Sequence, residues 1–207
     1  MAININPKSI HGIFYLNNSG ENIFTSFGND TIYGGASHDT IDGGGDNDLI
    51  FAGAGNDFIL SGSLESYEVD VIFAGAGDDT VNAGVNCMGS IYVNGNEGSD
   101  LIFGGKLNDT IEGGRGFDNI IANEGNDLIT AGRGFDSVDG GTGNDIINGG
   151  DGYDRLAGNT GSDVIDGGNG NDVIIGGKDS DRLTGGAGAD IFEFSINDSI
   201  VTPAKNF

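Results

Sequence analysis

The sequence predicts an all-β protein, a parallel β-roll built as a right-handed β-solenoid of nine-residue units. Three observations carry that expectation. Asp recurs from Asp100 at positions 109, 118, 127, 136, 145, 154, 163, 172, 181 and 190 in unbroken steps of nine, a large apolar residue stands two positions after each, and a glycine-rich turn precedes it. A short fixed period of this kind marks a solenoid, whose units bury their apolar side chains only by stacking on their neighbours.

Composition agrees once the period is recognised. The 207 residues include 41 Gly and 2 Pro, with 32 Asp plus Glu against 8 Lys plus Arg, a net charge of -24. So acidic a chain is a poor ligand for nucleic acid. No apolar stretch reaches the length of a membrane span, and the glycines lack the three-residue period of collagen. Without its periodicity the same composition would read as disordered, so the placement of the apolar residues decides the fold.

Residues 1–20 are expected to form an N-terminal cap; their apolar run, Ile13 to Leu16, is too short for the core of a secretory signal. The repeat then occupies 21–194. Glu21 stands where the first Asp would, Asp30, Asp39, Asp48 and Asp57 keep the step of nine, and Asp70 and Asp79 resume it after an insertion of four residues. Between Asp79 and Asp100 the turn is degenerate, with Ser90 near the Asp position and Cys87, Met88 and Gly89 in place of the usual glycines. Cys87 has no second thiol to pair with and reads as an inert small side chain. Residues 195–207 form a C-terminal tail.

Each unit holds a six-residue turn and a strand of about three residues whose middle side chain points inward. The inward residues are Ile32, Ile41, Ile50, Ile59, Ile72 and Val81, and from Ile102 to Phe192 the same interval repeats. Two units make a coil, and each strand pairs in parallel with the strand 18 residues away. About nine coils spaced about 4.8 Å apart give a rod of about 45 Å. Tight turns repeated at every edge need positive φ and close backbone approach, which glycine supplies. Stacking also sets Asp118 above Asp136 and Asp109 above Asp127, a ladder of like charges that repels itself when bare.

The complete turns GGRGFD, GGTGND, GGDGYD, GGNGND and GGAGAD, ending at Asp118, Asp145, Asp154, Asp172 and Asp190, resemble the RTX or hemolysin-type repeat GGxGxDxUx, a repeat associated with calcium. The resemblance covers residues 20–194. It implies multiple Ca2+ ions, roughly nine or more, one between successive turns on the same edge. Each would be held by the Asp residues of both turns and by backbone carbonyls; calcium takes six to eight hard oxygen ligands at about 2.3–2.6 Å.

The candidate carboxylates are Asp30, Asp39, Asp48, Asp57, Asp79, Asp100, Asp109, Asp118, Asp127, Asp136, Asp145, Asp154, Asp163, Asp172, Asp181 and Asp190. The candidate turn glycines are Gly113, Gly114, Gly116, Gly132, Gly134, Gly140, Gly141, Gly143, Gly149, Gly150, Gly152, Gly167, Gly168 and Gly170. The turns from Asp100 to Asp190 form nine same-edge neighbour pairs, so nine ions would set +18 against -24. In the competing reading the Asp residues hydrogen-bond their own turns. Ser37, Asp46, Leu107 and Asp179 replace a fourth-position glycine, and ESYEVD before Asp70 has none, so calcium occupancy is expected to be incomplete around residues 60–99.

Members of this family leave bacterial cells unfolded by type I secretion and fold outside. The resemblance therefore implies a secreted, extracellular or cell-surface protein that folds on binding calcium and serves a structural, secretion or attachment role. A fragment of a larger secreted RTX enzyme or toxin, or a polysaccharide-acting solenoid, is the alternative. No enzymatic activity is expected: His11 and His38 are the only histidines, and neither H-E-x-x-H nor G-x-S-x-G occurs. Ice binding would require a regular Thr or Asn array, which the residues following each Asp do not form. One outward feature remains. Tyr33, Phe51, Phe73 and Val93, beside Leu49, Val71 and Ile91, are expected to stack on the outer surface of one sheet, either covered by residues 1–20 or the inserted loop, or available to a protein partner or for self-association.

Overall fold

A computed structural model describes residues 2–4, 11–62, 68–84 and 89–194. Cys87, the tail 195–207 and part of the inserted loop lie outside the described residues. Strands alternate along the chain between an eleven-stranded and a ten-stranded sheet, and each pairs in parallel with the next strand but one. The register advances by one coil of 18 residues, as in Ile120↔Val138 and Ile129↔Ile147. The four-residue insertion lengthens one step to Ile50↔Ile72. Parallel pairing also continues into the first twenty residues, with Ala2–Asn4 on Asn22–Phe24 and Ile13–Tyr15 on Thr31–Gly35.

Inward Ile, Leu and Val residues from both sheets form a single core, in which Ile32, Ile41, Ile102, Ile111, Ile120 and Ile129 have no exposed surface. Many strands have the expected three residues, as at Thr40–Asp42, Phe58–Leu60, Leu101–Phe103 and Asn119–Ile121, whereas Thr110–Gly116, Leu128–Gly134, Ile146–Gly152 and Val164–Gly170 each run for seven. In these longer strands the first half of the glycine turn stays extended and keeps its cross-coil register, as in Gly114↔Gly132 and Gly116↔Gly134. There only the last residues before the Asp turn the corner.

The structure corrects the outer stripe. Val93 lies in the core with no exposed surface, and Ile91 is also buried. Three extra residues precede this strand, so Val93 pairs with inward Ile72 and Ile91 pairs with Asp70. Strand side chains alternate, so misplacing the extra residues by one position moves every side chain to the opposite face. Ile91, not Ser90, therefore occupies the Asp position of this turn. The ladder on the outer face of the ten-stranded sheet is Tyr15, Tyr33, Phe51 and Phe73, with ring centroids 4.9, 5.1 and 5.1 Å apart and planes within 7°. Tyr92 leans on Phe73 at 58° to end it. Tyr15 extends the ladder and does not cover it, since it is 72% exposed.

Candidate metal centre

Alternation along an extended backbone puts each Asp on the same side as the apolar residue two positions later. The carboxylates therefore point into the coil, under the glycine turn, and Asp100, Asp118, Asp145 and Asp163 are 1% exposed and Asp154 fully buried. Asp30, Asp39, Asp48, Asp57, Asp79, Asp109, Asp127, Asp136, Asp172 and Asp181 are buried as well, while Asp190 at the end of the stack is half-buried. The register gathers them into two columns, one on each edge, as the spacing predicts.

The two oxygens of each carboxylate differ. Oδ1 accepts the amide N–H of the Asp one coil earlier: Asp100 donates to Asp118 at 2.9 Å, Asp118 to Asp136 at 2.8 Å, Asp136 to Asp154 at 2.9 Å and Asp154 to Asp172 at 2.9 Å. On the opposite edge Asp109 donates to Asp127 at 2.8 Å and Asp127 to Asp145 at 2.9 Å. The carboxylates thus lock neighbouring coils together, a role different from the local Asx turn of the competing reading. Oδ2 has no hydrogen-bond partner in Asp39, Asp57, Asp79, Asp100, Asp118, Asp136, Asp154 and Asp172, nor in Asp48, Asp127, Asp145 and Asp163. A buried carboxylate oxygen without a partner carries a large desolvation cost.

Backbone carbonyl oxygens crowd the same glycines as these carboxylate oxygens. A Cβ placed on Gly113 would meet Asp118 Oδ2 at 2.6 Å and the Ala131 carbonyl oxygen of the next coil at 2.5 Å. The same pair of oxygens faces Gly149 (Asp154 at 2.6 Å, Gly167 at 2.5 Å) and Gly167 (Asp172 and Gly185, both at 2.5 Å). At Gly140 the neighbours are Asp145 Oδ2 at 2.6 Å and the more distant Gly158 carbonyl at 3.2 Å. Ala122 and Ala131 put a buried methyl at the corresponding position before Asp127 and Asp136. Among the described residues no three Asp, Glu, His or Cys side chains converge, so any ion here must draw on carbonyls as well as carboxylates. All-oxygen donors of both kinds suit calcium better than zinc.

The remaining candidate glycines shape the turn. Gly114, Gly132, Gly141, Gly150 and Gly168 at its second position, and Gly116, Gly134, Gly143, Gly152 and Gly170 at its fourth, all have positive φ. A Cβ at any of them would overlap a carbonyl oxygen one coil earlier, for example Gly98 under Gly116. Asp46 and Asp179, which replace the fourth-position glycine, also have positive φ, at 76° and 77°, a left-handed conformation that Asp tolerates better than most residues.

Burial raises the carboxyl pKa values, against the pull of the donated amides. Asp100, Asp118, Asp136, Asp154 and Asp163 are pushed up to about 6, and Asp79 and Asp127 to about 7. Asp48 rises to about 9, through burial first, with the charges of Asp70, Asp30 and Glu68 adding to it. A divalent cation bound by these carboxylates would favour the ionised form and reverse these shifts.

Sequence reasoning overlooked the residue before each Asp. Asn108, Asn126 and Asn144 accept, through Oδ1, the amides of residues 126, 144 and 162 one coil later, at 2.7–2.8 Å. The dipeptide Asn-Asp, seven times within residues 21–194, was the available signal. His11 and His38 stand at the same turn position and accept the amides of Asn29 and Asn56 through Nδ1 at 2.8 Å.

Comparison with known proteins agrees with this geometry. A hyperactive, Ca2+-dependent, β-helical antifreeze protein from an Antarctic bacterium is similar in fold, with a TM-score of 0.50 and 21% identity over 93% of this chain and 83% of that one. No curated protein matches the sequence. The RTX calcium-binding nonapeptide repeat matches at residues 17–50, 24–59, 69–85, 92–120, 103–138, 121–156, 139–174 and 157–192. With matches over most of its length and the repeat's turn geometry at both edges, the chain belongs to the RTX calcium-binding nonapeptide repeat family.

Proposed function

We propose that this β-roll is a non-enzymatic module that folds outside the cell as it takes up multiple calcium ions, serving a structural, secretion or surface-attachment role in a bacterium. The observation that carries the reading is the pair of columns of buried, unpartnered Asp Oδ2 atoms. Repeated along both edges, these atoms make the metal-free coil costly to close, and calcium, when bound, supplies the positive charge that offsets it. On this reading Asp Oδ2 and the next coil's first-position carbonyl are the ligands the chain contributes at Gly113, Gly149 and Gly167. Extracellular calcium modules bind at about 0.1–1 mM, so cytosolic calcium would leave the chain unfolded and ready for export.

Far-UV circular dichroism during a calcium titration, with magnesium as control, tests this. A cooperative, calcium-specific transition from coil to β-structure is expected. A β spectrum that survives thorough chelation at neutral pH would overturn the proposal.

The outer-face ladder of exposed Tyr15 and Tyr33 and half-buried Phe51 and Phe73 is, on the same reading, the surface for self-association or a protein partner. Replacing Phe51 and Phe73 together by Ser is expected to lower the dimer fraction in sedimentation velocity at least several-fold and to leave the calcium-induced spectrum unchanged. An unaltered dimer would remove the ladder from that role.

A further inference from the structure

The two carboxylate columns are unequal. On the Asp118 edge every amide at the Asp position, from Glu21 to Asp172, donates to a carboxylate one coil later without a break. On the other edge the series runs from Gly12 through Asp30 and Asp48 to Asp70 and stops. It resumes only at Asp109, which accepts the amide of Ile91 at 2.9 Å.

Three successive members of this second column are satisfied by the protein, each in a different way. The Asp70 carboxylate lies within reach of the Ser61 hydroxyl, a favourable contact for its ionised form. Ile91 brings a buried apolar side chain where a carboxylate would stand. Asp109, 1% exposed, uses both oxygens: Oδ1 takes the Ile91 amide and Oδ2 the Gly105 amide at 2.7 Å. The turn before Asp109 differs because Leu107 occupies the fourth position. Gly116 adopts a φ of 133° at that position, whereas neither Leu107 nor Gly105 is among the positive-φ residues. A bulky side chain resists that conformation, and the turn instead directs the Gly105 amide onto the carboxylate. Immediately beyond, Asp127, Asp145 and Asp163 again present Oδ2 without a partner.

The gap coincides with the two irregular register steps, Ile50↔Ile72 and Ile72↔Val93. Both enlarged turns fall on this edge, where no ion needs to set the coil spacing. We infer that calcium occupies the Asp118 column continuously, whereas the opposite column carries a three-member gap at Asp70, Ile91 and Asp109 in which protein groups stand in for the ion. This rests on the calcium reading above and specifies where within it metal is absent.

Counting bound calcium by native mass spectrometry on the full chain tests the inference. Asp127→Asn is expected to lose at least one ion relative to the parent, and Asp109→Asn none. Loss of an ion from Asp109→Asn, or full retention by Asp127→Asn, would overturn it. Because Asp109→Asn disturbs two amide hydrogen bonds and can fail to fold, calcium anomalous diffraction from crystals of the unsubstituted chain provides a second reading. A row of ions along the Asp118 edge and a break across the Asp70–Asp109 coils is the expected map; an ion inside that break rejects the gap. A parent chain that binds no calcium would defeat the calcium reading itself, a result distinguishable from either of these.

Discussion

Gly143→Val is expected to abolish the cooperative thermal transition of the calcium-saturated protein, or to lower its stability by about 3 kcal/mol or more, the sum of left-handed strain and steric overlap. Gly143 has a φ of 134°, which a β-branched residue avoids, and any Cβ there would overlap the carbonyl oxygen of Gly125 one coil earlier. Neither strain can relax locally, because the coil spacing is held by parallel pairing above and below. Thr142→Val provides the control. Thr142 is exposed on the same turn, and the substitution should change stability by no more than about 0.5 kcal/mol. Differential scanning calorimetry at saturating calcium makes the comparison; transitions for the two variants within a few degrees of each other would show that coil spacing is not limited by this contact.

The same contact explains why so much of the fold was legible in the sequence. A backbone oxygen one coil earlier crowds the fourth turn position wherever glycine stands there, as at Gly116, Gly134, Gly143, Gly152 and Gly170, so glycine recurs in most turns and the period stays visible even where the third and fifth positions vary. The carboxylate columns were legible for a related reason: inward Asp and inward Ile stand two residues apart, and strand alternation preserves that offset through every regular coil. Legibility failed where the chain departs from its period. Three extra residues before Ser90 could be placed in more than one way, and only the observed pairing of Ile91 with Asp70 decides between them. An apolar residue in an Asp position has no signature of its own, so Ile91 passed for an outward residue and Val93 followed it to the wrong face. The unequal oxygens of each carboxylate were equally hidden, since the spacing places an Asp in a turn but does not show which neighbour's amide it accepts.

Acidification is expected to restore β-structure to the metal-free chain. The carboxyls of Asp100, Asp118, Asp136, Asp154 and Asp163 sit at about 6 in the folded coil and those of Asp79 and Asp127 at about 7, raised by burial from 3.8. A group whose pKa is raised by folding stabilises the fold fully below its unfolded value, and that contribution is lost as pH rises through the folded value. In calcium-free buffer the β signal should therefore be weak at pH 8, grow as pH falls through 7 and 6, and level off near 4. Protons then do part of what calcium does, removing charge from the buried ladder. Calcium binding has the opposite dependence, because the ion requires ionised carboxylates and must displace those protons. Its apparent affinity should weaken steadily below about pH 7, so that calcium and acid compete for the same oxygens. Circular dichroism from pH 8 to 4, with and without calcium and at concentrations low enough to avoid precipitation as net charge falls, reads both effects. A metal-free spectrum that remains coil-like down to pH 4 would show that neutralising the Asp columns is insufficient to close the coils, and that the coordinating bonds of the ion, beyond its charge, are what hold one turn to the next.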